Sequence, residues 1–124
     1  MITEDYVSFE VAKLLKEKGF DELCSHYIVS ENALSEFSHG CLFKNSDSTD
    51  NDLYCCPTHQ MAMKWLREVY GIAIEPMLLS NGWFCQIERI LEDFCKKYID
   101  ETDSYKTYEE SVVSAIKYCL ENLL

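Results

Sequence analysis

Apolar side chains recur at helical spacing in three stretches of the chain. Val7, Val11, Leu14 and Leu15 fall at i, i+4, i+7 and i+8, with Lys13, Glu17 and Lys18 off the stripe. Ser8 can accept from first-turn amides and Gly19 tolerates the C′ conformation, so this helix spans Ser8 to Lys18. The second stripe is Ala62, Trp65, Leu66 and Val69. Pro57 fits ahead of it and Gly71 ends it, giving a helix from Thr58 to Tyr70. The third runs from Thr107 nearly to Leu124, with Val113, Ile116, Leu120 and Leu123 facing the core. Its start, Thr107-Tyr108-Glu109-Glu110, is a capping box.

Between the helices the period drops toward two. Cys24 to Val29 reads as a strand, Ser30 to Asn32 as a turn, and Ala33 to Phe43 as the return strand. Ile72 to Leu79 alternates as well. Pro76 cannot donate to a ladder, so this strand belongs at an edge or carries a bulge. Ser80-Asn81-Gly82 marks a hairpin turn, followed by Trp83, Cys85 and Ile87 alternating with Phe84, Gln86 and Glu88. Ile87, Ile90, Leu91, Phe94, Cys95 and Tyr98 match a helical stripe too, which favours a short strand ending near Ile87 and then a helix or helical turn. Asn45 to Asp52 is a polar loop and Asp100 to Ser104 an acidic one. The pattern predicts one α+β domain over residues 1–124. It would hold an antiparallel sheet of about four strands with three or four helices packed mainly on one face.

Composition narrows the function classes. At 124 residues and 48% hydrophobic, the chain suits one folded domain and excludes disorder for most of its length. No stretch approaches the ~18 apolar residues of a membrane helix, and Met1 to Asp5 lacks a basic, then apolar leader pattern. Eleven basic against 22 acidic residues give a net charge of −11. That balance argues against direct nucleic-acid binding and favours plain solubility, or a basic partner where one exists. Seven cysteines, an odd number without a leader, imply reduced thiols and a cytoplasmic location. Each cysteine has an ordinary reading as a small buried hydrophobe.

Candidate chemistry is sparse. Cys24-Ser25-His26 and His39-Gly40-Cys41 would place two thiols and two imidazoles on one face if their strands paired across an even-length turn. Cys24, His26, His39 and Cys41 are then a candidate zinc set, with Cys55, Cys56 and His59 near enough in sequence to replace a member. No Cys-x-x-Cys knuckle supports it. Cys55 or Cys56 ahead of the second helix, with His59 as base, is a candidate thiol nucleophile, without a visible orienting group. Glu75, between Ile74 and Pro76, is the one carboxyl in an apolar run, and an edge strand would point it to solvent. The eight tyrosines and two tryptophans suit either a core or a protein interface.

Three stretches carry a resemblance: Tyr6 to Phe20 (YVSFEVAKLLKEKGF), Pro57 to Ile72 (PTHQMAMKWLREVYGI) and Lys106 to Leu124 (KTYEESVVSAIKYCLENLL). Together, over about half the chain, they resemble short uncharacterised proteins of gut Bacteroidales and their phages or prophages. The resemblance implies a cytosolic, mobile-element setting and transfers no site residue. The expectation is therefore a small accessory protein without catalytic residues or cofactor that binds another protein, with a homodimer compatible. A zinc-stabilised Cys/His module is the first alternative and a thiol-dependent enzyme the second.

Overall fold

Ser8 and Gly19 delimit the first helix as their chemistry requires. In the computed structural model, which describes residues 1–93 and 95–124, α1 spans Phe9–Glu17. The Ser8 hydroxyl accepts from the Val11 amide at 3.3 Å. At the other end the Phe20 amide donates to Leu15 O and the Gly19 amide to Lys16 O, with Gly19 at φ 90°. This paired closure satisfies carbonyls that the helix would otherwise strand. Val7, Val11, Ala12, Leu15 and Phe20 are buried, whereas Leu14 is only half-buried.

This helix packs on a small antiparallel sheet ordered β2-β1-β3, made of β1 (His26–Val29), β2 (Ser35–Glu36) and β3 (Leu53–Cys55). Lys16 Nζ donates to Leu53 O at 2.9 Å and lies 4.9 Å from the Tyr54 ring centre. The return strand is much shorter than the pattern of apolar residues suggests. Pairing stops at His26↔Glu36, a 3₁₀ turn occupies Ser38–Gly40 with His39 at φ 57°, and the chain rejoins only at the Cys24↔Phe43 bridge. Leu34, Leu42 and Phe43 supplied the strand-like pattern, yet all are exposed. The polar loop is pinned rather than free. Asn45 is buried; its Nδ2 donates to Phe20 O and its Oδ1 accepts from the Cys55 amide, both at 2.9 Å. The Asp21 carboxylate accepts from the Ser46 amide at 2.8 Å.

The chain divides into two compact units, residues 1–58 with Leu124, and residues 59–123. The second is built on α2 (His59–Tyr70), a sheet ordered β4-β5-β6, and α3 (Tyr108–Asn122). Gly71, at φ 65°, ends α2 with its amide bonded to Arg67 O. Ala62, Met63, Trp65 and Leu66 form the buried side of α2, while Val69 is 56% exposed and leaves the expected stripe. Thr107 caps α3: its hydroxyl accepts from the Glu110 amide at 3.1 Å and donates to the Glu110 carboxylate at 2.9 Å. Its buried side is Ser111, Val112, Ala115, Ile116, Cys119 and Leu120; Val113 and Leu123 are half-buried.

Strand β4 (Ile72–Leu79) lies at the sheet edge, where Pro76 is tolerated. It joins β5 (Gly82–Ile90) through Ser80-Asn81. Gly82 is required less for the turn than for a close approach. At φ 126°, its missing Cβ would strike the Tyr105 carbonyl, and Trp83 and Tyr105 exchange both backbone hydrogen bonds beside it. Residues 96–101 form a third strand, β6 (Lys96–Glu101), antiparallel to β5 with a bulge opposite Ile87/Glu88. The helical stripe read over residues 87–99 is therefore corrected to the end of one strand, a loop and the start of the next. Ile90, Leu91 and Tyr98 are exposed, so their spacing reflects no buried face, and Phe94 lies outside the described residues. The described residues thus make the expected α+β fold, with three α-helices; the antiparallel strands, roughly as many per sheet as the pattern predicts, form two three-stranded sheets.

Candidate functional site

The cysteine and histidine residues singled out by the sequence occupy different environments. Cys24 and Cys55 are buried in the first unit, with their thiols in hydrogen-bonding reach of each other. Each also meets a carbonyl at 3.6 Å, Glu22 O for Cys24 and Phe43 O for Cys55. The shared hydrogen bond, then burial, raise the Cys24 pKa, whereas the same bond and the Lys16 charge hold Cys55 down. His26 is half-buried: its Nδ1 lies 2.8 Å from Ser25 Oγ, its Nε2 3.8 Å from Glu36, and its ring 4.1 Å from that of Tyr6. His39 and Cys41 sit in and just after the exposed 38–40 turn, because six residues of the supposed return strand leave the ladder. His59 is buried at the start of α2. Among the described residues, no group of three or more His, Cys, Asp or Glu is placed to hold a metal ion. Cys56 is buried, and burial with the neighbouring Cys55 pushes its thiol up to about 12, the reverse of what a nucleophile needs.

A second cluster lies on the β4-β5-β6 sheet. Alternation divides this sheet into two faces. One carries Cys85 and Trp83 against α3, through the 3.5 Å contact of Cys85 Sγ with Ser111 Oγ and the edge-to-face pair of Trp83 with Tyr108. The register places Ala73, Glu75, Met77 and Leu79 of β4 on the other face, beside Phe84, Gln86, Glu88 and Ile90 of β5. Lys96, Tyr98 and Glu101 of β6 complete that face.

Glu88 is the unusual residue there. Its side chain is only 7% exposed, although it stands in a polar alternation, and its Oε1 accepts no hydrogen bond. Glu75 lies diagonally across the ladder, a separation that two long side chains can span. The two carboxyl groups come within hydrogen-bonding reach of each other. Lys96 Nζ reaches both Glu75 oxygens at 3.3 Å and stands 3.5 Å from Glu88 Oε1. Burial first, and then the neighbouring Glu75, push the Glu88 pKa up. The hydrogen bond from Glu88 and the Lys96 ammonium hold Glu75 down. Such a pair retains a proton more readily than a lone surface carboxylate.

Around the cluster the same face exposes apolar surface. Met77, Leu79, Ile90 and Tyr98 are all exposed, and Leu79 and Phe84 border a hollow of about 360 Å³ with residues 101–104. Sequence reasoning placed Glu75 correctly on an edge strand but missed Glu88. The signal was available: the hairpin turn fixes the β4–β5 register and hence the Glu75–Glu88 diagonal.

Comparison with known protein families, curated proteins and solved structures gives no match to this chain. No helix among the described residues is long and apolar enough to cross a membrane.

Proposed function

We propose that the chain is a non-enzymatic accessory protein that docks another protein on the open face of the β4-β5-β6 sheet. The observation that carries this reading is the composition of that face. Exposed Met77, Leu79, Ile90 and Tyr98 share that face with a polar cluster of Glu75, Glu88 and Lys96. Apolar side chains standing together at a polar rim are the usual make-up of a docking surface, with tyrosine among the residues that anchor one. The excess of acidic residues favours a basic partner, and electrostatic attraction would speed its arrival. The resemblance of the helical stretches adds a cytoplasmic, mobile-element setting to the reading. The metal and thiol alternatives have less support, because His39 and Cys41 stand apart in an exposed turn and the candidate nucleophiles Cys55 and Cys56 are both fully buried.

The test is the size of the assembly in extracts of the native host. The chain with Leu79→Asp and Tyr98→Asp should elute as the free chain while the unaltered chain elutes in a larger complex. Elution of the unaltered chain at its own mass of 14.5 kDa would refute the reading, as would a complex indifferent to both substitutions.

A further inference from the structure

We propose that the Glu75–Glu88 pair is a socket for an arginine side chain of the partner polypeptide, with Lys96 as its placeholder in the free chain. The inference rests on the docking reading above and specifies the chemistry of the partner. Its first support is Glu88 itself. The side chain is more than nine-tenths buried, yet Oε1 accepts no hydrogen bond and is met only by the Lys96 ammonium, in an ion pair at 3.5 Å. Buried acceptors are nearly always hydrogen-bonded, so one held by a loose ion pair alone marks a place where an incoming donor gains more than it would on open surface.

The second support is charge and shape. Glu75, Glu88 and Glu101 share this face with Lys96. Lys96 is 58% exposed and divides one ammonium between two carboxyl groups. A planar guanidinium offers five donors in a fork and can serve two carboxylates at once, which a point-like ammonium on a mobile stem does less well. The third support is what flanks the socket. Tyr98 is paired directly across from Glu88, and Ile90 and Met77 lie two residues along from Glu88 and Glu75, all exposed. These side chains can cover the methylene stem of an arginine and the apolar residues beside it. A second copy of the chain fits less well, since it would bring the same negative excess to the same face.

The test uses the full chain labelled for carboxyl carbon resonances and titrated with Nα-acetyl-arginine methylamide, with the citrulline analogue as the uncharged control. The Glu75 and Glu88 carboxyl signals should move saturably with the arginine compound and at least fivefold less with citrulline. Glu88→Gln and Glu75→Gln should each abolish the response; Glu75 is the more exposed, so its variant keeps the test valid if the other unfolds. Lys96→Met should tighten binding at least threefold by vacating the socket. Equal response to both compounds, or weaker binding by Lys96→Met, overturns the proposal. So does self-association of the unaltered chain that Leu79→Asp abolishes, which would make a second copy the occupant. If the arginine response fails while the native complex still depends on Leu79 and Tyr98, only the socket falls. If the arginine response holds while the complex ignores those residues, the docking face falls instead.

Discussion

Replacing Asn45 with alanine removes two buried hydrogen bonds at once, and the cost can be worked from the geometry. The Asn45 side chain joins Phe20 O to the Cys55 amide, both at 2.9 Å, and so ties the end of the Schellman-type closure of α1 to strand β3. Alanine leaves one carbonyl and one amide without partners, beside residues that are almost fully buried. Stranding a buried polar group costs roughly 1–3 kcal/mol, so the pair should cost about 2–4 kcal/mol once partial rehydration is allowed. Native-state hydrogen exchange reads this locally: protection of the Cys55 amide should fall about 30-fold to a thousand-fold. Urea unfolding should show the same loss globally. Asn51→Ala, in the same loop but without those bonds, should stay within about 0.5 kcal/mol of the parent. A loss below about 0.5 kcal/mol for Asn45→Ala, with unchanged Cys55 exchange, would refute the argument.

Four further outcomes are expected. Gly82→Ala should destabilise by roughly 1–3 kcal/mol from backbone strain, with the clash against the Tyr105 carbonyl added, measured by thermal unfolding; a neutral result would mean that residue 105 does not approach β5. Only Cys41 and Cys95 should react rapidly with an aromatic disulfide reagent in the native chain, because the other five thiols are buried; a third fast thiol contradicts their placement. Glu88 has a raised pKa, so its contribution to stability is present at low pH and is lost as pH rises from the ordinary 4.5 through the folded value. Glu88→Gln should therefore gain stability relative to the parent across that rise, and a difference constant with pH would contradict the raised value. Native mass spectrometry of protein purified without chelator should show the bare chain; one zinc per chain would require His39 and Cys41 to leave the exposed turn.

The helices were legible because their signals are local. Ser8, Gly19, Gly71 and Thr107 act within a turn of themselves, and each does so in the structure. Pro76 was equally readable, since a residue without an amide hydrogen belongs at an edge wherever the sheet lies. Apolar spacing misleads where it does not follow burial. Val69, Leu42, Phe43 and Tyr98 are exposed, and no local chemistry distinguishes them from core residues. The stripe over residues 87–99 failed for that reason: a tight strand–loop–strand path can reproduce helical spacing by coincidence. The buried polar residues were missed in the opposite sense. Asn45 sits in a tract of Ser, Asp, Asn and Thr, and its burial depends on Phe20 and Cys55, remote in sequence. Glu88 is buried by its neighbours on the sheet, so only the strand register discloses it. The four-residue zinc set required a continuous strand from Ala33 to Phe43, and the left-handed backbone at His39 shows where that strand breaks.

A photo-crosslinking scan in the native host tests whether the open face of the second sheet is the docking surface. A benzophenone side chain would be placed singly at Leu79, Ile90 or Tyr98 on that face, and at Val69 or Glu121 on the two helices. Discrete adducts are expected from the three sheet positions and none from the helix positions, and the Tyr98 adduct should be lost when Glu88 is changed to Gln. Adducts from Val69 or Glu121, with the sheet positions silent, would contradict that docking surface.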